Sequence, residues 1–346
     1  MLYHSSVLKG EPVIETYEII NQYKSLPEYA QKRVRSLIND MCTANEESQN
    51  YCIHVCPKCG AVEPGFIKGG FSNSGKQMLR CPVCKKRFVI DRGQLTYYSH
   101  QSEAKWDQLI EDTFAQVSIE DTAEKLEIST YTVWRMRMKL LHAFEQLMMN
   151  TLLSDEIELD EKYFLNSHKG TQIDGVEGRK RGGLATKRGL SNEQICLPTA
   201  IQRGGNAVLM ATNTATPSAD DIMKIAPHIS EHCMAWLDGK KAYNKLLETK
   251  HCGKMVLKDH TEYTAIDHIN NVNSFHRTIE EWYTYYRGVA SKYINRYAAL
   301  FVLVREYAGC TLQETLINIK GRLRQFSDNF RVIDMKTNDL FHYCAF

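Results

Sequence analysis

The sequence predicts a multidomain protein: a helical and metal-stapled N-terminal region, a helix-turn-helix, then an α/β core with a mixed sheet. Three observations predict it. Two Cys-x-x-Cys pairs, Cys56/Cys59 and Cys81/Cys84, stand 21 residues apart. Residues 102–153 carry helix-periodic apolar stripes behind capping serines. From 154 onward the order is strand, hairpin, helix, strand, helix, strand, helix. The expected division is 1–50 an N-terminal helical segment, 51–100 a zinc ribbon, 101–153 the helix-turn-helix, 154–310 the core and 311–346 a C-terminal helical tail.

A chain of 346 residues has room for two or three domains at roughly 100–200 residues each. Hydrophobic residues at 43% and charged residues at 24% exclude a disordered chain. The longest apolar run near the C-terminus, Ala298 to Val304, is too short to span a membrane, and Met1-Leu2-Tyr3-His4 opens no secretory signal. A cytoplasmic location without a membrane partner is expected. The net charge of +2 leaves nucleic acid open as a partner, because local charge docks phosphates. Besides the paired cysteines, seven are scattered, and the total of 11 is odd; they read as small buried hydrophobes, not a disulfide framework.

Taken in order, Val13, Ile14, Tyr17 and Ile20, then Val34, Leu37, Ile38 and Met41 beyond Pro27, predict two short helices. Residues 42–50 are a polar linker. Each Cys-x-x-Cys turn presents two sulfurs to one point. Four thiolates close a tetrahedral Zn²⁺ shell with no open position, so Cys56, Cys59, Cys81 and Cys84 are expected to hold a structural zinc. Trp106, Leu109, Ile110 and Phe114 mark a helix. Ser118 with an acid at the third helical position opens a second, and Ser129-Thr130 opens a long third helix with Val133, Met136, Leu140 and Phe144 inward. Arg135, Arg137 and Lys139 on the third helix are expected to meet DNA. A plain three-helix packing unit has the same periodicity.

In the core, Glu156 to Phe164 alternates as a strand, with Glu158 and Asp160 on one side. Ile195–Ile201 and Ala207–Thr212 flank Gln202-Arg203-Gly204-Gly205-Asn206 as a hairpin. A helix over 218–229, a strand from Cys233 ending at Asp238, a short helix over 242–247, a strand at Met255-Val256-Leu257 and long helices from Val272 complete it. Carboxylates on neighbouring strands can share divalent ions; either Asp160 or Asp238 alone reads as a solvated strand-end acid. Lys169 to Leu190 carries six Lys/Arg against two acids, and Arg179, Lys180, Arg181, Lys187 and Arg188 fit a loop that grips phosphates. The aromatic run through Tyr297 is core, with stacking on unpaired bases open near Arg287 and Lys292.

An ordered set of motifs resembles a known family. The cysteine pairs and helix-turn-helix precede Ile157-Glu158-Leu159-Asp160-Glu161, Trp236-Leu237-Asp238-Gly239 and His268-Ile269-Asn270-Asn271-Val272-Asn273-Ser274-Phe275-His276. Arg287-Gly288-Val289-Ala290-Ser291-Lys292-Tyr293 and Asn295-Arg296-Tyr297 follow. The set is similar to bacterial insertion-sequence transposases of the DDE type, in the ISXO-like group with an N-terminal zinc ribbon and an RNase H-like catalytic core. The resemblance implies an enzyme that binds terminal inverted repeats and cleaves and joins DNA strands with two Mg²⁺ ions. It implies double-stranded DNA, at transposon ends and target, as the partner, a homo-oligomer on that DNA, and nucleoid association. The triad carries over as Asp160 and Asp238, with Asn273 or Glu280 third. The family places a basic residue seven positions after the Asn, where this chain has Glu280; that departure keeps open a catalytically decayed or repurposed DNA-binding protein.

Overall fold

The computed structural model describes residues 55–73, 75–92, 94–170, 183–286 and 288–323, with a few positions between 23 and 53. The chain divides into two compact units, residues 1–54 and 55–346. Of the first, Tyr23 to Ser25 are helical. Ala30, Gln31 and Val34, beyond Pro27, are helical too; the rest of the helices expected over 11–40 lies outside the described residues, as do Arg179, Lys180, Arg181, Arg287 and the tail from 324.

The second unit opens with an antiparallel sheet of β1 (Ile67–Phe71), β2 (Gln77–Arg80) and β3 (Arg87–Val89). Three helices follow: α1 (Glu103–Phe114), α2 (Ile119–Leu126) and α3 (Thr130–Met149). Each starts where a serine oxygen accepts an N–H three residues on: Ser102 from Lys105, Ser118 from Asp121, Ser129 from Thr132. Such a cap stabilises a helix by about 1 kcal/mol. Glu127, in the left-handed region at φ 52, ends α2 and turns the chain into α3.

The larger sheet is built around β4 (Glu156–Leu165). β5 (Gln194–Gln202) pairs antiparallel with it, from Ile157↔Gln202 to Leu165↔Gln194. β6 (Ala207–Leu209) and the short β7 (Asn213–Thr214) pair antiparallel with β5. On the other side β8 (Met234–Leu237) runs parallel to β4, and β9 (Gly253–Val256) parallel to β8. The order β6-β5-β4-β8-β9 is a mixed sheet consistent with an RNase H-like core. Around it lie α4 (Ala219–Met223), α5 (Asn244–Thr249), α6 (Asn270–Tyr285), α7 (Ile294–Glu306) and α8 (Leu312–Leu323).

Two expected helices are shorter than their patterns. The one expected over 218–229 stops at Met223 and resumes as a 3₁₀ turn at Ala226–His228. Pro227 supplies no N–H and disfavours helical geometry in the residue before it. The run from Val272 breaks after Tyr285, where Gly288 at φ 96 and a 3₁₀ turn at Ser291–Tyr293 redirect the chain into α7.

Alternation along the strands feeds two cores. Ile157, Leu159, Ala200, Ala235 and Leu237 pack on one side with Ile222, Tyr243 and Leu246. Ile195, Leu197, Ile201 and Trp236 face the other, with Val272 and Phe275 of α6 and Leu300 of α7. That second core also holds Trp106, Leu109, Val133, Leu140 and Phe144 of α1 and α3, and Ile319 of α8. The boundary expected at 153 therefore falls inside one continuous apolar cluster. The motif block Asn295-Arg296-Tyr297 is buried there: Asn295 Oδ1 accepts the Ala211 N–H at 2.7 Å, and Arg296 Nε lies 3.7 Å from Glu145 Oε2 of α3.

Candidate active site and metal centre

A strand covered on both faces normally reads apolar throughout. β4 departs from this on its α6 side, where alternation brings Glu158, Asp160 and Lys162. Two strand residues advance about 6.6 Å and four helix residues about 6 Å, so a strand and a helix lying side by side meet in step. Glu158 meets Val272, Asp160 meets His276 and Lys162 meets Glu280.

Glu158 is fully buried. Its Oε2 accepts the Val272 N–H at 2.9 Å; its Oε1 accepts from Asn271 Nδ2 at 2.7 Å and from Arg203 Nε at 3.0 Å. No side chain of α6 caps that helix; the strand carboxylate does so, where the helix dipole favours an anion. Arg203 also donates to the carbonyls of Ile266 and His268 and stacks 3.8 Å over the Trp236 ring. The start of α6 is thereby tied to β4, β8 and the hairpin.

One step along, His276 Nδ1 is 3.4 Å from Asp160 Oδ2, and its Nε2 is 2.9 Å from Thr199 Oγ1. Thr199 is the cross-strand partner of Asp160. The parallel pairing ends at Glu158↔Trp236; Asp160 and Asp238 each follow two residues on, and the charges of both reach the Glu161 carboxyl. Asp238 is exposed, and its Oδ1 accepts the Lys240 N–H at 3.0 Å. Gly239 makes the turn at φ +85; a Cβ there would stand 2.7 Å from Val256 Cγ1, so only glycine fits. Asn273 is exposed on α6. Burial raises the Tyr263 hydroxyl above its ordinary value, Asn273 acts to lower it, and the charges of Asp160, Glu158 and Asp238 raise it further. Glu280, two turns along α6, is occupied with Lys162 Nζ at 2.6 Å.

On the opposite side of β4, Glu161 is buried and holds Lys240 Nζ. Burial raises its carboxyl above the ordinary range; Lys240 pulls it down, and Asp160 and Asp238 push it up.

In the N-terminal module, Cys56 and Cys84 sulfurs are 3.8 Å apart, and Cys59 and Cys81 sulfurs 3.9 Å. Zinc–sulfur bonds of about 2.3 Å give a tetrahedron with edges of about 3.8 Å, so the four thiols fit that ion. The two turns are alike: Gly60 N–H donates to Cys56 O and Lys85 N–H to Cys81 O, both at 2.9 Å. Among the described residues, these cysteines are the group of three or more His, Cys, Asp or Glu side chains able to hold a metal.

The DNA-facing candidates are placed unevenly. Arg135 is exposed above the Tyr131 ring. Arg137 corrects the expectation for α3: it is 4% exposed, and donates to Val117 O at 2.9 Å and Thr122 Oγ1 at 3.1 Å. It falls beside Met136 on the stripe that packs against α2. Lys139 reaches back to Tyr97 O at 3.1 Å. Lys187 and Arg188 are exposed next to Glu193, which accepts the Thr186 and Lys187 N–H groups. Lys292 is half-buried, 5.2 Å from the Tyr293 ring.

The sequence places Glu158 on the side of Asp160 without giving it a task, and no local pattern singles out His276, Arg203, Lys240 or Tyr263. The available signal was a second carboxylate two residues before Asp160 on a strand with little room for one.

No curated protein matches the chain. Among solved structures it is similar to the Mos1 transposase paired-end complex with left transposon end, at 12% identity over 66% of this chain and 80% of that one, with a TM-score of 0.20. It is also similar to the Mos1 strand transfer complex, at 12% identity over 64% and 78%, with a TM-score of 0.23. At those scores the likenesses carry no argument. Residues 152–303 match the sequence profile of the ISXO2-like transposase domain. That span takes in the whole mixed sheet, Asp160, Asp238 and α6, and no helix among the described residues is long and apolar enough to cross a membrane. Over residues 152–303 the chain is thus similar to the DDE-type transposases of that group.

Proposed function

We propose that this chain is a DNA transposase that binds the terminal inverted repeats of an insertion sequence and performs metal-dependent strand cleavage and strand transfer. What supports this reading is the parallel β4–β8 pairing, which ends at Glu158 against Trp236, two residues before Asp160 and Asp238. Two carboxylates and an amide are hard oxygen donors of the kind Mg²⁺ takes, and Asp238 and Asn273 are open to solvent. Asp160 and Asp238 would hold two Mg²⁺ ions with Asn273 completing the set, and the metal would supply an activated oxygen nucleophile and charge neutralisation at the phosphate. His276 and Thr199 hold the Asp160 carboxylate in place. Glu158 and Arg203 hold α6 in step with β4, so that Asn273 stays over the acids. Lys240, fixed by Glu161, sets a cation beside both aspartates. Glu280 balances Lys162 and is not the third ligand.

The four cysteines would carry a structural Zn²⁺ that shapes the N-terminal module, with α2 and α3 a helix-turn-helix beside it. Arg135, Lys187, Arg188 and Lys292, with Arg179, Lys180, Arg181 and Arg287, would dock phosphates of the ends and target. Synapsis of two ends requires a second copy, and bacterial cytoplasm is the expected setting. A repurposed DNA-binding protein is the competing reading, and the neutral Asn273 beside only two carboxylates is what favours it.

The test is nicking of a labelled duplex carrying the element's end, in Mg²⁺ or Mn²⁺, by wild type, Asp160→Ala, Asp238→Ala and Asn273→Ala. Metal-dependent nicking that both aspartate variants lose supports the transposase. Tight binding without nicking by the wild type in either metal supports the binding protein.

A further inference from the structure

The α3 cations expected to grip DNA are partly spent inside the protein, Arg137 on α2 and Lys139 on the loop before α1. The small sheet shows the opposite. Residues 55–92 contain eight Lys/Arg against Glu63 and Asp91. Asp91 is buried and paired with Lys76, which leaves seven cations facing one acid.

Their placement is the more telling fact. The β2–β3 register sets Arg80 directly opposite Arg87, and the β1–β2 register sets Ile67 opposite Arg80. The three therefore share one face, and all three are exposed. The neighbouring row turns the other way, with Phe88 buried against the Phe66 ring at 5.4 Å. Like charges directly opposite on antiparallel strands destabilise a sheet. Neither arginine pairs with a carboxylate among the described residues; Arg87 donates to Gly69 O at 3.3 Å, which uses one of its five N–H groups. Lys85 and Lys86, both exposed at the second cysteine turn, add two cations directly before Arg87 in the chain. A charge arrangement that costs stability in the free protein is relieved by an anion that spans it.

We propose that this outward face, centred on Arg80 and Arg87 and continued by Lys85 and Lys86, docks the phosphate backbone of duplex DNA without reading its sequence. The inference rests on the transposase reading for its partner. It adds positioning contacts on the sheet of the N-terminal module to that of the exposed Arg135 of α3.

The experiment is fluorescence anisotropy of the full-length, zinc-loaded protein with a labelled duplex, across a salt series and without Mg²⁺ or Mn²⁺. Cleavage plays no part in it, so failure of the Asp160/Asp238 reading leaves the result intact. Arg80→Gln/Arg87→Gln is compared with Arg80→Lys/Arg87→Lys and with Lys245→Gln, a surface control. Each lost phosphate contact lowers the slope of log K against log salt by about 0.9. The Gln pair is expected to flatten the slope by about 2 and weaken binding by roughly 10- to 100-fold at 0.1 M salt. The Lys pair and the control keep the wild-type slope, and a scrambled duplex suffers the same loss as the element's end. Should the Gln pair release zinc, Lys85→Gln/Lys86→Gln supplies the same reading. An unchanged slope in a zinc-loaded Gln variant, or a loss confined to the end sequence, overturns the proposal.

Discussion

The cysteine cluster and the proposed acid site would treat metal chemistry in opposite ways. The first gathers four soft thiols from one short stretch, 56 to 84, through two turns of the same geometry, with Cys56 and Cys81 buried. The second gathers hard oxygens from β4, the end of β8 and α6, and leaves Asp238 and Asn273 exposed. A closed shell suits an ion that holds a fold; an open one suits an ion that meets a substrate. A structural metal centre is thus a property of local loops, whereas a catalytic one is a property of topology.

The largest effect is expected where the closed site is opened. Cys81→Ser should release the zinc and unfold the small sheet, because structural zinc contributes on the order of 10 kcal/mol to folding. Zinc content and a thermal melt check this; a melt unchanged by zinc loss would remove the contrast. Treatment that strips only weakly held Mg²⁺ should leave the melt where it was.

Next comes the brace behind the open site. Glu158→Ala leaves the Arg203 guanidinium and the start of α6 without their shared partner, at an expected cost of about 3–5 kcal/mol. The melting temperature reads the cost, and Glu158→Gln, which keeps the size, should lose less.

A third test reads the shared core. Burial raises the Glu145 carboxyl to about 7, with Arg296 pulling it down. Its folded pKa lies above its unfolded one, so this stabilisation is complete below about 4.5 and is lost as pH rises through about 7. Between pH 5 and pH 8 the Glu145→Gln variant should gain on the wild type by up to about 3 kcal/mol. A pH-independent difference in melting temperature would show that the α3–α7 contact is not buried as described.

The smallest effect belongs to Glu280. Its pair with Lys162 is 63% exposed on the Glu side, and such pairs contribute about 0–1 kcal/mol. Glu280→Ala should change stability and nicking little, while Asn273→Ala lowers nicking. The reverse order would make Glu280 the ligand.

Legibility in the sequence followed the same contrast. Cysteine spacing, the serine caps of α1 to α3 and the β5–β6 hairpin are local signals, and each could be read directly. Asp160 and Asp238 could be placed on strands, but that the charges of both reach Glu161 depends on β8 lying beside β4, which no local pattern states. Glu158 reads as one more alternating residue until α6 is laid across it. Arg137 sits one residue from the apolar Met136, and only the packing of α2 shows it buried. The division at 153 follows the change in composition there, yet the apolar cluster runs from Leu95 to Leu323 without regard to it.

The most direct test of the central claim is Mn²⁺ binding by the zinc-loaded protein, followed by the electron paramagnetic resonance signal of the free ion. Wild type, Glu161→Gln and Glu280→Gln should all take up Mn²⁺, whereas Asp160→Asn and Asp238→Asn should not. Uptake that survives both aspartate variants, or that fails with Glu280→Gln, would contradict a metal site built from the aspartates of β4 and the end of β8.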